Sequence, residues 1–161
     1  MTYYFNNVYI NDKFSLLAST KYKPIVMNNP DKVLDDYYIN EKSIELAESK
    51  YQETTIKGLL MKKKKLTKEV DLLINGDLQN QCLASSLASS KFKIPSCTIY
   101  SACATFVEGL IIGANIIDNK NKSTIVTVSG HNLVSEKQFR FPVEYGALRK
   151  MVNTCTLSGS I

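Results

Sequence analysis

The residue best placed to do chemistry is Cys103, which lies in a turn of small residues, Ser-Ala-Cys-Ala-Thr, between two apolar segments. The apolar segment 97–100 before the turn predicts a short strand, and segment 106–117 after it predicts a helix. A thiol in the first turn of a helix faces unpaired backbone N–H groups and the positive end of the helix dipole. Both favour the thiolate, so this pattern predicts a nucleophile or a site for an anion.

The helix that follows the cysteine has no continuous polar face, which is typical of a buried helix. After Glu108 its next formal charge is Asp118. Residues 97–117 approach the length of a membrane span, but their polar residues, and the absence of Lys/Arg clusters close to both ends, argue against one. A third interpretation is that Cys103 is only a small core residue, the commonest role of a free cysteine.

The overall composition is that of a soluble globular domain. The 161 residues are 44% hydrophobic and 22% charged, enough for one domain with a real core. Much of the net charge of +5 comes from lysines between positions 57 and 68, which we interpret as a solvated helix end and not as a nucleic-acid surface. Four dispersed cysteines and one histidine give no metal-ligand spacing. No secretory signal is evident, so reduced, cytosolic thiols are expected.

Strands alternate with helices along most of the chain, which predicts an α/β fold with a mainly parallel sheet. A helix is predicted from Glu41, with Glu48 and Glu53 outside its apolar face. A buried strand over residues 70–74 leads to Asp77, which is placed to cap the next helix. The inward residues predicted for that helix are Leu83, Ala84, Leu87 and Ala88. Further strands are predicted at 123–129 and 154–161.

Several motifs together resemble the stage V sporulation protein AD family, which has the thiolase-like fold. They are Gly76-Asp77-Leu78 with Asn80-Gln81-Cys82, residues 100–105 with Glu108, Ser129-Gly130-His131, residues 136–142 with Glu144-Tyr145-Gly146, and residues 156–160. The resemblance covers residues 31–161, whereas residues 1–30 match poorly. Members of the family carry two similar halves. The chain therefore corresponds to an N-terminal thiolase-like domain, truncated in its last strand, and the second half is expected to be absent.

The resemblance implies a thiolase-like half of βαβαβ type, with a mixed, mostly parallel sheet and a buried central helix. It implies a non-catalytic subunit of the spore dipicolinate uptake and transport machinery, which binds dipicolinate in a thiolase-type pocket. The alternative is an acyltransferase or condensing enzyme that uses acyl-CoA through a Cys103 thioester. A truncated or split gene product that needs a partner to supply the other half is a third possibility.

The ligand-binding residues that the resemblance implies are Cys103, Thr105, Asp77, His131 and Arg140. Cys103 occupies the nucleophile position of the superfamily, but the activating histidine of those enzymes belongs to the second half. For His131 a plain strand-end role is an equal alternative, and Asp77 is the more natural helix cap. Arg140, between two phenylalanines, is most simply an anchor stacked on aromatic rings.

The resemblance also sets expectations for partners and location. Glu108 on an apolar helix must be paired, exposed or near an interface, and thiolase-like dimers place this region near the partner subunit. We therefore expect a possible homodimer, other spore dipicolinate-transport subunits as partners, a small-molecule anion as ligand and no nucleic acid. No cofactor or metal is expected. The location expected is the cytoplasm or the periphery of the spore inner membrane, without a transmembrane segment.

Overall fold

The computed structural model describes residues 2–18, 29–79, 82–120, 124–131 and 158–160. Its strands are β1 (Leu16–Ala18), β2 (Lys32–Leu34), β3 (Leu72–Gly76), β4 (Ser96–Thr98), β5 (Ile125–His131) and β6 (Ser158–Ser160). Its helices are α1 (Ile44–Lys63), α2 (Leu83–Ser89) and α3 (Thr105–Lys120). Short 3-10 turns occupy Thr67–Glu69 and Ala102–Ala104. The predicted alternation of strands and helices is confirmed.

The strands form one six-stranded sheet in the order β2-β1-β6-β5-β3-β4. Strand β3 pairs in parallel with both β4 and β5, and β1 pairs in parallel with β2. Strand β6 is antiparallel to both of its neighbours, β1 and β5. The sheet is therefore mixed and mostly parallel, as predicted, and the carboxyl ends of β3, β4 and β5 lie along one edge.

The two faces of the sheet carry different layers of helices. Leu73, Val126 and Val128 form a buried cluster with Ile56 and Leu60 of α1. The intervening strand residues face α3, because a Cβ atom built on Gly109 would contact side chains of Thr127 and Ile74. This two-residue alternation places α1 and α2 on one face and α3 on the other.

Helix α1 buries more of its surface than its sequence predicts. Ser43 caps its start by accepting the Leu46 N–H at 3.3 Å. Glu48 and Glu53, predicted to lie outside, are 0% and 5% exposed. That prediction was wrong because α1 packs against both the sheet and α2, so the buried arc is wider than one apolar stripe.

Burial of Glu53 is compensated by three lysines. It pairs with Lys57, with Lys91 at 2.8 Å and with Lys50 at 3.4 Å. Burial alone raises the pKa of Glu53, but the hydrogen bonds from Lys57 and Lys91 outweigh it and lower that pKa from 4.5 to about 2. The carboxylate thus stays ionised and ties α1 to the segment after α2.

Helix α2 faces inward through its small residues. Ala84, Ser85, Ala88 and Ser89 are buried, whereas Leu83 and Leu87 are 47% and 36% exposed. The prediction that both leucines point inward was therefore wrong. Small side chains let α2 approach α1 closely, and the close approach decides which face is buried.

Helix α3 is buried toward the sheet through Gly109 and Gly113, while Val107 remains 55% exposed. Burial is therefore confined to the sheet side, and the large apolar residues of α3 are half-buried or exposed, whereas the sequence predicted a helix buried on every side. Strand β4, predicted as apolar, is exposed at all three residues, and among the described strands it lies at the edge of the sheet beside β3. Within the described residues, no helix has the length and apolar character needed to cross a bilayer.

Candidate functional site

Cys103 lies where the sequence predicts it, in a tight turn directly before a helix. The 3-10 turn of residues 102–104 runs into α3 at Thr105, and the Cys103 side chain is exposed. Ala102 has a φ of 48°, a left-handed conformation that costs a residue with a Cβ about 1–2 kcal/mol. Residues with strained backbone recur at functional sites, so the turn is a candidate for one.

Thr105 holds this turn in place. Its hydroxyl donates to the Ala102 carbonyl at 2.7 Å and accepts the Ser101 N–H at 3.0 Å. The side chain is 2% exposed. Because the hydroxyl is used both as donor and as acceptor within the turn, the structure gives Thr105 a positioning role beside Cys103.

The carboxyl end of β3 supports the turn from beneath. A Cβ atom on Gly76 would lie 2.2 Å from Thr105 Cγ2 and 2.5 Å from the Ile99 carbonyl oxygen. Only glycine leaves room for both groups. The Ile99 N–H also donates to the Asn75 carbonyl at 2.9 Å. These contacts fix the position of the cysteine turn relative to the carboxyl end of β3.

Asp77 follows Gly76 and is turned into the protein. It is 1% exposed and accepts three hydrogen bonds, from the Gln79 N–H at 2.7 Å, the Ser85 N–H at 2.7 Å and the Ser85 hydroxyl at 2.5 Å. Ser85 is the third residue of α2, so Asp77 satisfies a free N–H of that helix from outside the N-cap position, which Cys82 occupies. The predicted capping role is thus observed with a different geometry.

A buried polar network continues from Asp77 toward α1, and the sequence patterns did not reveal it. Gln52 donates through Nε2 to the Gly76 carbonyl and to Ser85 Oγ, both at 2.9 Å. Asn75 donates through Nδ2 to Gln52 Oε1 at 3.1 Å and to the Ser85 carbonyl at 2.7 Å. Buried polar side chains need hydrogen-bond partners, but the sequence alone does not show that Gln52, Asn75 and Ser85 are buried.

Cys82, the second thiol of this region, differs from Cys103. Its thiol is buried and donates to the Ile99 carbonyl at 3.4 Å. Burial raises the pKa of Cys82, and the charge of Asp77 raises it further. Cys82 is therefore a protonated structural thiol, and Cys103 is the accessible one of the pair.

The other predicted residues are placed only in part. His131 ends β5, two residues beyond Ser129, which pairs with Gly76, so its backbone lies at the same sheet edge as the cysteine turn. Arg140, together with Asn80 and Gln81, lies outside the described residues. Glu108 stands in the first turn of α3, and its buried Oε2 has no hydrogen-bond partner in the described part of the chain.

The chemistry offered by this edge is that of a helix N-terminus with an exposed thiol. Helix α3 has 16 residues and continues directly from the 3-10 turn, with the Thr105 N–H donating to the Ala102 carbonyl. The positive end of its dipole lies at this turn. Across the described ranges, no cluster of three metal-ligating side chains occurs. A cavity of about 580 Å³ is lined by the N-terminal segment, α1, α3 and β5, but Cys103 is not among its lining residues.

Comparison with solved structures shows the fold. OleA from Xanthomonas campestris with bound lauric acid and lauroyl-CoA aligns with a TM-score of 0.52 and 15% identity, over 70% of this chain and 38% of OleA. A 3-oxoacyl-(acyl carrier protein) synthase III, FabH, from Xanthomonas oryzae aligns with the same score, identity and coverage. The predicted thiolase-like α/β fold is therefore confirmed.

Sequence comparison shows the family. Stage V sporulation protein AD from Bacillus subtilis is 34% identical over 131 residues, which are 81% of this chain and 39% of the relative. The chain thus spans about two fifths of the length of that relative. The family model for Stage V sporulation protein AD matches residues 2–161. The chain belongs to the Stage V sporulation protein AD family, as its motifs predict.

Proposed function

We propose that the chain is a non-catalytic sporulation protein that binds dipicolinate at the Cys103 turn, as a subunit of the machinery that moves dipicolinate into the spore. The observation that carries the proposal is the exposed turn at the start of α3, found in a chain of this sporulation family. Dipicolinate is a dianion at neutral pH, and a helix N-terminus suits an anion.

The residues around the turn divide into two roles under this proposal. The Cys103 thiol, at the positive end of the α3 dipole, contacts one carboxylate of the ligand, with His131 and Arg140 as further contacts. Thr105 and Asp77 shape the site, because their polar atoms already hydrogen-bond within the protein. Dipicolinate-transport subunits and a second copy of the chain are the partners that go with this function, in the cytoplasm or at the spore inner membrane.

Calorimetry of the full chain with dipicolinate tests the proposal. We expect measurable heat with dipicolinate and much less with pyridine, which has the same ring without the two carboxylates that the site is proposed to contact. Cys103→Phe should weaken binding at least about tenfold by filling the turn, a loss of about 1.4 kcal/mol. Cys97→Ala is the matched control, since Cys97 is also exposed but lies on β4. A folded protein that gives no heat would refute the proposal.

The acyltransferase alternative rests on the exposure of the Cys103 thiol, because an exposed thiol can be reached by the acyl group of acyl-CoA. It is separated from the binding function by incubating the chain with short acyl-CoA and measuring the intact mass. One acyl group on the parent chain and none on Cys103→Ala would favour the enzyme. An unmodified parent chain would support the binding protein.

A further inference from the structure

The end of α1 carries a dense group of lysines that the proposed dipicolinate site does not use. Five of the seven residues from Lys62 to Lys68 are lysines, and Lys13 adds another from the N-terminal segment. The N-terminal segment is held there by hydrogen bonds from Lys62 Nζ to the Lys13 carbonyl at 3.0 Å and from Lys63 Nζ to the Asn11 carbonyl at 3.5 Å. We call these six lysines the basic patch.

Only part of this charge is neutralised. Lys62 pairs with Asp12 at 3.1 Å and with Asp31 at 3.0 Å, and Lys63 pairs with Asp12 at 3.5 Å. In the described part of the chain, the other four lysines of the basic patch form no ion pair. Lys65 donates instead to the Thr124 hydroxyl at 2.9 Å. The patch therefore keeps a strong positive field.

Large apolar side chains are exposed beside these lysines. Met61 is 78% exposed and Leu66 is 59% exposed, one on each side of the lysine run. Tyr9 and Ile10 are 79% and 78% exposed and line the same cavity as Lys63 and Lys65. Exposed apolar and aromatic side chains next to lysines suit the boundary between lipid headgroups and acyl chains.

We propose that the basic patch, with Met61, Leu66, Tyr9 and Ile10, binds the surface of an anionic phospholipid bilayer. The lysines attract the headgroups, and the apolar side chains enter the interface. Charge complementarity selects this occupant, because clusters of four to eight basic residues are typical of anionic-lipid binding. The proposal deepens the peripheral location proposed above, and it requires no dipicolinate, so the two can fail separately.

Sedimentation of the full chain with vesicles tests this surface. The vesicles contain three parts phosphatidylcholine to one part phosphatidylglycerol, with pure phosphatidylcholine for comparison. Each basic residue near such a surface contributes about a fivefold gain in partitioning, so Lys64→Gln with Lys68→Gln should lower it roughly 25-fold. The control is Lys42→Gln with Lys93→Gln, which removes equal charge from two exposed lysines elsewhere. Circular dichroism checks that both variants fold.

The expected result is salt-sensitive binding to the anionic vesicles, lost in the patch variant and retained in the control. Met61→Ser should lower binding several-fold without changing the charge. Three outcomes would overturn the proposal: no sedimentation of the folded parent chain with anionic vesicles, equal binding to neutral vesicles, or an equal loss in both lysine pairs. Tighter binding to duplex DNA than to vesicles would likewise refute it, since a general polyanion site would then explain the charge.

Discussion

The sharpest consequence of the structure concerns Asp77, for which a structural role and a ligand-binding role predict opposite results. The structure places its carboxylate 1% exposed, with three donors directed at it from Gln79 and Ser85. Asp77→Ala removes the acceptor of the buried Ser85 N–H and of the part-buried Gln79 N–H. Each unsatisfied buried donor costs about 1–3 kcal/mol.

The expected loss of stability is therefore about 2–4 kcal/mol, because the Ser85 N–H stays buried without an acceptor, whereas the Gln79 N–H is only part-buried and the Ser85 hydroxyl can rotate. For a domain of this size, a loss of that order lowers the melting temperature by about 4–16 °C. Asp77→Asn keeps one acceptor oxygen and should lose about half as much. Urea unfolding followed by circular dichroism measures both.

Asp36→Ala is the matched control, since Asp36 also accepts two backbone N–H groups, from Tyr38 at 3.1 Å and Asn40 at 2.9 Å, but is exposed. Water replaces its hydrogen bonds, so we expect a loss of only about 0.5–1 kcal/mol. If Asp77→Ala were as stable as Asp36→Ala yet failed to bind dipicolinate, the structural assignment would be wrong and Asp77 would be a ligand contact.

Three further predictions test other parts of the fold. Glu53→Gln should lower the free energy of unfolding by about 1–2 kcal/mol above pH 4.5, a modest loss because the lysine partners are exposed. The difference between the two proteins in urea titrations should disappear as the pH falls toward 2, because folding lowers the pKa of Glu53 from 4.5 to about 2. Lys64→Gly should stabilise the chain by about 1 kcal/mol, because Lys64 ends α1 with a φ of 52°, a conformation that glycine adopts without strain. Met61→Gly, within the same helix, should destabilise the chain by about as much. A loss of stability in both variants would contradict the strain argument. Gly76→Ala should cost about 2–3 kcal/mol and change the rate at which iodoacetamide alkylates Cys103, while Gly113→Ala, whose added Cβ would meet its nearest neighbour at 3.4 Å, should be tolerated.

The sequence predicted the architecture because strand and helix periodicities are local signals. Alternating apolar segments and turn residues placed β3, α3 and β5 within a few residues of their observed bounds. The sequence could not predict which polar residues are buried. Glu48, Gln52 and Glu53 are at most 5% exposed because three separate segments converge on α1, and that convergence is a property of the tertiary fold.

The candidate site was likewise predicted only in part. The position of Cys103 before a helix follows from neighbouring residues and was predicted, whereas the support of its turn was not. That support comes from Gly76, which is 27 positions away in the sequence and admits Thr105 and the Ile99 carbonyl on one side. Contacts of this kind depend on strand register, which local patterns do not determine.

One strand end therefore links the protein interior to the cysteine turn. The Gly76 carbonyl accepts from Gln52, Asp77 binds α2, and the missing Cβ of Gly76 admits the turn that presents Cys103. Asp77, Gln52 and Ser85 direct their polar atoms into this network, whereas the Cys103 side chain is exposed to solvent. The exposed thiol is thus carried by a turn whose supporting residues are buried, and this support fixes the thiol's position relative to the carboxyl end of β3.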